Sequence, residues 1–437
     1  MFFLKNKNYL ISRNYHSASE SLSFNQLPIN KHQKKFSWTY SHLFNYLTIY
    51  FSIFLSALAY GIAMVLIALK LESNVKDDIL ITLSTVTQIC AGVIFSNYLP
   101  RLTNKIGVIN NIFYGSILAA ISTLFLSKFI NYQLWILCIF LMGLSLFISS
   151  ISRNTVMIDF STDKSRAFSI SLGSLLVAIG NSLGPVLVNY INLKDNFITF
   201  AIAGFIHFLS GLVVLKLKKT DTVIRQQKKI SPWKYIFNSP KIMFSGFAFS
   251  FAMSSCSAFA IIFGLRVGMT HENASLLLSA LLIGTISYLP LSLLCNIFNL
   301  RFLIILFSLI SLLIIHKIYT LEIYNNLHLY FFILFSSLAG MKLPTLVLIN
   351  EKYKPSQRLA VNSSFSKVTL SGAIFGLICT GVLIKVYGYN GLWLSSAIIL
   401  MIFIVFCFVN YFIKFLKGQL LVNDLSIFKK KYEPIEL

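Results

Sequence analysis

Long apolar runs alternate with short polar breaks along almost the whole chain. The runs are continuous rather than alternating in polarity, and each is close to the ~20 residues a helix needs to cross a bilayer. They predict twelve helical spans, over residues 44–70, 79–99, 108–130, 134–151, 167–191, 197–217, 243–265, 272–294, 300–318, 327–349, 360–386 and 389–415. A transmembrane β-barrel would instead show ~10-residue segments of alternating polarity. The fold class is therefore an all-α membrane protein, its twelve helices arranged as two pseudo-symmetric six-helix bundles.

The breaks set the domain organisation. Residues 1–43 form a basic, Ser/Asn-rich tail, and residues 44–217 hold the first six spans. The longest internal break, residues 218–242, carries many lysines and arginines and links the halves. Residues 243–415 hold the second six spans, and 416–437 form a second tail.

Composition agrees with burial in lipid. Only 12% of the 437 residues are charged and 56% are hydrophobic, whereas soluble domains carry about 25% charged residues. The net charge of +23 does not point to nucleic acid. The basic residues lie between spans, and lysines outnumber arginines 29 to 8, while arginine is the favoured residue for base and phosphate recognition. Their positions orient the chain instead. With the N-terminus in the cytoplasm, 28 lysines and arginines fall on the inner side and 7 on the outer. The positive-inside rule then puts both termini in the cytoplasm, in a multi-pass protein of the inner membrane. Trp135 and Trp393 fall at outer span ends, the usual interfacial placement.

The six cysteines are scattered singly and show no metal-ligand or disulfide spacing. No cofactor and no metal are expected. An integral-membrane enzyme would cluster histidines or acids near one interface. None of the fourteen acids lies well inside a span, so no catalytic residue is assigned.

Shifting the chain by 192 residues aligns several features without a gap. Leu102 and Asn104 meet Leu294 and Asn296, Asp159 meets Glu351, Arg166 meets Arg358, and Gly180 and Gly184 meet Gly372 and Gly376. A parallel repeat of two six-helix halves is a known transporter plan.

With these features the sequence resembles the major facilitator superfamily over roughly residues 44–415. The family's loop between spans 2 and 3, G-x-L-a-D-R-x-G-R-R, corresponds to Pro100-Arg101-Leu102-Thr103-Asn104-Lys105-Ile106-Gly107-Val108-Ile109. Leu102, Lys105 and Gly107 fit, whereas the family's Gly is Pro100 and its Asp is Asn104. Asn296 takes the Asp position in the weaker second-half copy. Gly180-x-x-x-Gly184-Pro185 in span 5 is similar to a motif of the family's exporters. The resemblance implies transport by alternating access. The 2–3 and 8–9 loops (Asn104, Lys105, Gly107, Asn296) would latch the inward gate. The smooth faces of spans 5 and 11 (Gly180, Gly184, Gly372, Gly376, with a kink at Pro185) would form a hinge or sliding seam between the halves.

Chemistry at membrane depth is sparse. Lys342 and Lys367 lie inside spans 10 and 11, and a lysine at a helix centre costs ~2.5–3.5 kcal/mol on insertion scales. Snorkelling to the interface is one way to meet that cost. Facing a central cavity and binding an anion is the other, with the backbone near Pro344 free to offer carbonyls. Arg153 would supply a third cation from span 4. Gln88 and Asn181 lead the polar candidates, ahead of Tyr60 and Tyr288. His207, the one deeply placed histidine, is the candidate coupling residue because imidazole titrates near neutrality. The expected function is a secondary transporter for a small anionic organic solute, a carboxylate or phosphate. Its partners are that substrate and the bilayer, with no nucleic acid, and a monomer suffices. Efflux of amphiphiles and a non-transporting scaffold of the same fold are the alternatives.

Overall fold

The computed structural model of the protein describes residues 40–75, 77–95, 98–128, 131–160, 166–191, 196–217, 236–321, 326–353 and 355–416. Both tails and most of the 218–242 linker lie outside these residues, as do the side chains of Asp159, Arg166 and Arg358.

Twelve spans follow one another as expected. Spans 1 to 6 are Tyr40–Asn74, Asp78–Phe95, Val108–Leu126, Tyr132–Phe160, Arg166–Ile191 and Asn196–Val214. Spans 7 to 12 are Pro240–Arg266, His271–Ile297, Leu300–Tyr319, Leu327–Lys352, Pro355–Tyr387 and Gly391–Leu416. A short helix, Leu99–Ile106, joins spans 2 and 3. Residues 364–413 form one apolar stretch of 50 residues, about 75 Å of helix and more than twice a bilayer core. Gly388, at φ 66°, breaks it into spans 11 and 12.

Lipid offers no hydrogen bonds, so each span must satisfy its own backbone. The many serines and threonines of the spans do not disturb this. Their hydroxyls bond the carbonyl one turn back, as Thr48 does to Phe44 at 2.7 Å and Thr123 to Ala119 at 2.7 Å.

Spans 1 to 6 pack chiefly on one another, and so do spans 7 to 12. Span 5 lies on span 1, and its repeat partner span 11 lies on span 7. The halves meet where span 5 packs on span 8, span 2 on span 11 and span 1 on span 7.

Trp135 and Trp393 lie at the starts of spans 4 and 12, with their rings turned into the bundle: both are 1% exposed. Trp135 donates to the Leu126 carbonyl, and Trp393 stands edge-on to Phe263 and Phe331. Span 10 stays helical through Pro344, because a proline removes only one bond of the ladder. The irregular backbone is in span 8 instead, where a 3₁₀ turn at Thr285–Ser287 separates His271–Gly284 from Tyr288–Ile297.

Candidate functional site

Arg153 does not face a cavity. It is 3% exposed, inside the first half, and its guanidinium donates to four serines. Nε bonds Ser52 and Nη1 bonds Ser56, both on span 1; Nη2 bonds Ser116 of span 3 and Ser210 of span 6, all at 3.0 Å. The planar fork suits this task, since its donors diverge to three helices at once. Ser52 and Ser210 pass the bonding on to the carbonyls of Ser210 and His207. The expected third cation of a substrate site is thus a staple of spans 1, 3, 4 and 6. His207 sits beside it, 1% exposed, with no hydrogen-bond partner for Nε2 among the described residues.

The glycine faces of spans 5 and 11 turn into their own halves, not toward each other across the molecule. A Cβ on Gly180 would meet Ala57 and the Phe54 carbonyl of span 1, and one on Gly184 would collide with the backbone of Gly61 and Ile62. Gly372 and Gly376 meet the backbone of Phe247 and Phe251 on span 7 in the same way. Removing side chains lets two backbones approach closely, and each half uses that device to seat its fifth span on its first. The helix of span 5 continues past Pro185.

Gln88 is half-buried and pairs with the Tyr60 hydroxyl, joining span 2 to span 1. The Oδ1 of Asn181 is buried with no hydrogen-bond partner among the described residues. Lys367 is exposed on span 11.

Lys342 has a built environment. Its half-buried ammonium lies 5.4 Å from the centre of the Phe249 ring of span 7 and 5.8 Å from that of Tyr288 of span 8. Ring faces carry negative potential, so both attract the cation. Among the described residues no acid pairs with it. The hydroxyl of Tyr288 and the Oγ of Ser287, its neighbour in the chain, are buried with no hydrogen-bond partner among the described residues, in the segment where span 8 breaks. That break packs against span 10 and also against span 5 of the first half.

A second cluster closes one end of the molecule. Arg266, at the end of span 7, binds both carboxylate oxygens of Glu72 at the end of span 1, each at 3.1 Å, and Asp78 of span 2 at 2.6 Å. Below it, Asn189 of span 5 donates to the Glu272 carbonyl at 3.0 Å and accepts from Ser275 at 2.7 Å. Ser279 of span 8 donates to the Ser182 carbonyl of span 5 at 2.7 Å. At the Glu72 end, therefore, charge pairs and hydrogen bonds tie the two halves together.

A family model for the Major Facilitator Superfamily matches residues 49–347. The chain belongs to this superfamily. It is a membrane transporter and not an enzyme. Solved members share the fold at low identity. A bacterial homologue of the human lysosomal transporter Spinster, inward-facing and unoccupied, superposes with TM-score 0.69 at 15% identity, covering 88% of this chain and 100% of that one. The nucleoside transporter NupG gives 0.68 at 14% identity, over 84% and 99%. The E. coli fucose:proton symporter FucP gives 0.56 at 15% identity, over 84% and 99%. No curated protein matches the chain by sequence.

Within the superfamily's loop motif, Asn104 and Lys105 are exposed on the short helix, and Asn296 is exposed at the far end of span 8. Gly107 holds φ 86° where that helix turns into span 3, a conformation that only glycine adopts readily. Sequence reasoning named Tyr288 only as one polar residue among several, and it missed Ser287 and the Glu72–Arg266–Asp78 cluster. A signal for the cluster was present. Glu72 and Arg266 are 194 residues apart, close to the repeat offset of 192, so opposite charges end equivalent helices.

Proposed function

We propose that this superfamily member is a secondary transporter carrying a small anionic organic solute across the cytoplasmic membrane by alternating access. Both termini are cytoplasmic, so the Glu72 end faces outward. The observation carrying the reading is Lys342, on an apolar span, whose ammonium lies near two aromatic faces with no acid paired to it among the described residues. A half-buried charge on a span is costly without a counter-charge, and the described residues around it supply none, which supports giving that role to the substrate. The position supports this: Lys342 is on span 10, beside the break in span 8 that also touches span 5, so both halves can close on one bound anion. The conformation supports it too. Ties at the Glu72 end close the outer side, and alternating access requires that closure when the site opens inward.

Metabolite profiling tests the reading, with cells containing the protein compared against cells lacking it, inside and in the medium. An organic anion retained inside the deletion strain identifies an exporter, and one left in the medium an importer. The same anion should respond to Lys342→Gln. If cation or neutral-solute levels change and anion levels do not, the anionic reading is wrong.

A further inference from the structure

Building on the anion reading of Lys342, we infer that the site takes a monocarboxylate, held by the Lys342 ammonium together with the Ser287 and Tyr288 hydroxyls at the break in span 8. Three observations converge. Both hydroxyl oxygens are buried and have no hydrogen-bond partner among the described residues, although buried polar groups are normally paired. They are consecutive residues at the 3₁₀ turn and the helix start that follows it, and irregular backbone at membrane depth is tolerated only where it is buried in protein or lines a water-filled cavity. The Tyr288 ring is also one of the two faces that border the ammonium, which puts Tyr288 next to the cation, with Ser287 the residue before it in the chain.

Charge balance selects the ligand class. Lys342, the half-buried lysine of the two, contributes one positive charge, while Lys367 is exposed on span 11. One carboxylate neutralises one ammonium, whereas a dianionic phosphate ester would leave a negative charge uncompensated in an apolar bundle. A carboxylate also offers lone pairs on two oxygens, so it can accept from an ammonium and two hydroxyls together. The serine and tyrosine hydroxyls can each donate one bond and are otherwise unused.

The test uses the purified full-length protein in detergent, with benzoate and phenyl phosphate as probes, which share a ring and differ in the anionic group. Binding is read by thermal shift and by direct titration. Benzoate should raise the melting temperature and phenyl phosphate should bind at least tenfold more weakly. Tyr288→Phe keeps the ring, and Ser287→Ala keeps a helix former, so both should melt like the parent without ligand. Each should weaken benzoate binding by about tenfold, the range for a hydrogen bond to a charged group. Unaltered benzoate binding in both variants, with loss in Lys342→Gln, would overturn the role of the hydroxyls and leave the anion reading standing. Tighter binding of phenyl phosphate would overturn the monocarboxylate class. Benzoate binding that survives Lys342→Gln, or no binding of either probe, would overturn this inference and the anion reading together.

Discussion

Arg266 grips Glu72 through two parallel hydrogen bonds of 3.1 Å and reaches Asp78 with its remaining nitrogen. The pair fastens span 7 of the second half to span 1 of the first. The three side chains are about one-fifth exposed, so water screens them only in part. A bidentate pair of this kind contributes about 1 kcal/mol to the closed state, toward the upper end for surface ion pairs. Arg266→Gln should therefore raise the population open at this end by roughly fivefold. A cysteine at Ser182 in a Cys379→Ser background reports it, through its rate of reaction with an impermeant maleimide added from outside. The exchange Arg266→Glu with Glu72→Arg should return the rate toward that of the parent. An unchanged rate in Arg266→Gln would mean that the packing of span 5 on span 8 closes this end without the ion pair.

Arg153 should be needed for folding rather than for substrate affinity. It reaches four serines on three other spans, and a lysine ammonium cannot make that divergent set of bonds. Arg153→Lys should lower the melting temperature by several degrees, and Arg153→Ala should cut yield of folded protein sharply, because four buried hydroxyls lose their donor at about 1 kcal/mol or more each. Whatever folded protein remains should show a KM close to that of the parent. A normal melting temperature combined with a raised KM would return Arg153 to the substrate site.

The contrast with what the sequence discloses is physical. The spans are legible because every apolar run long enough to cross a bilayer has to do so, and the 192-residue repeat fixes the number of halves. The fate of Arg153 is not legible. Its partners Ser52, Ser56, Ser116 and Ser210 are small residues scattered over three spans, and such serines usually bond only their own helix. The glycines mislead for a related reason. A small-residue face announces a close helix contact but does not say which helix fills it, and here spans 1 and 7 do. Lys342 stands out from sequence because an intramembrane charge is rare, yet its neighbours Phe249 and Tyr288 are ordinary members of apolar runs. Only the fold brings them to the ammonium.

The glycine seats lead to a prediction about size. Gly184 lies against the backbone of Gly61, and Gly376 against that of Phe251. Backbone cannot move aside as a flexible side chain can, so an added side chain must separate the helices. Gly184→Val and Gly376→Val should each prevent accumulation of monodisperse protein, as seen by fluorescence-detected size exclusion. Gly107→Asn, at a position with open space but a φ of 86° and a ψ of 157°, bears a backbone strain of about 1–3 kcal/mol without pushing helices apart, so it should accumulate as monodisperse protein with a lowered melting temperature. Equal yields for all three variants would show that the close contacts of spans 5 and 11 are not required.

The two intramembrane lysines should separate in transport assays. Lys342 is half-buried, its ammonium bordered by the rings of Phe249 and Tyr288; Lys367 is exposed, and its long stem can carry its charge toward the interface. In proteoliposomes, Lys342→Gln should reduce anion transport at least tenfold at subsaturating substrate, since a fixed charge opposite an anion at this depth has no substitute from solvent. Lys367→Gln should stay within about twofold of the parent, as expected for a cation whose long stem carries it to the interface. Phe249→Leu keeps the apolar volume and removes one ring face, a contact worth about 0.5–2 kcal/mol. Its effect should fall between the two, as a raised KM with little change in maximal rate. Should Lys367→Gln prove the more damaging of the two lysine variants, the binding site would lie along span 11 rather than at the break in span 8.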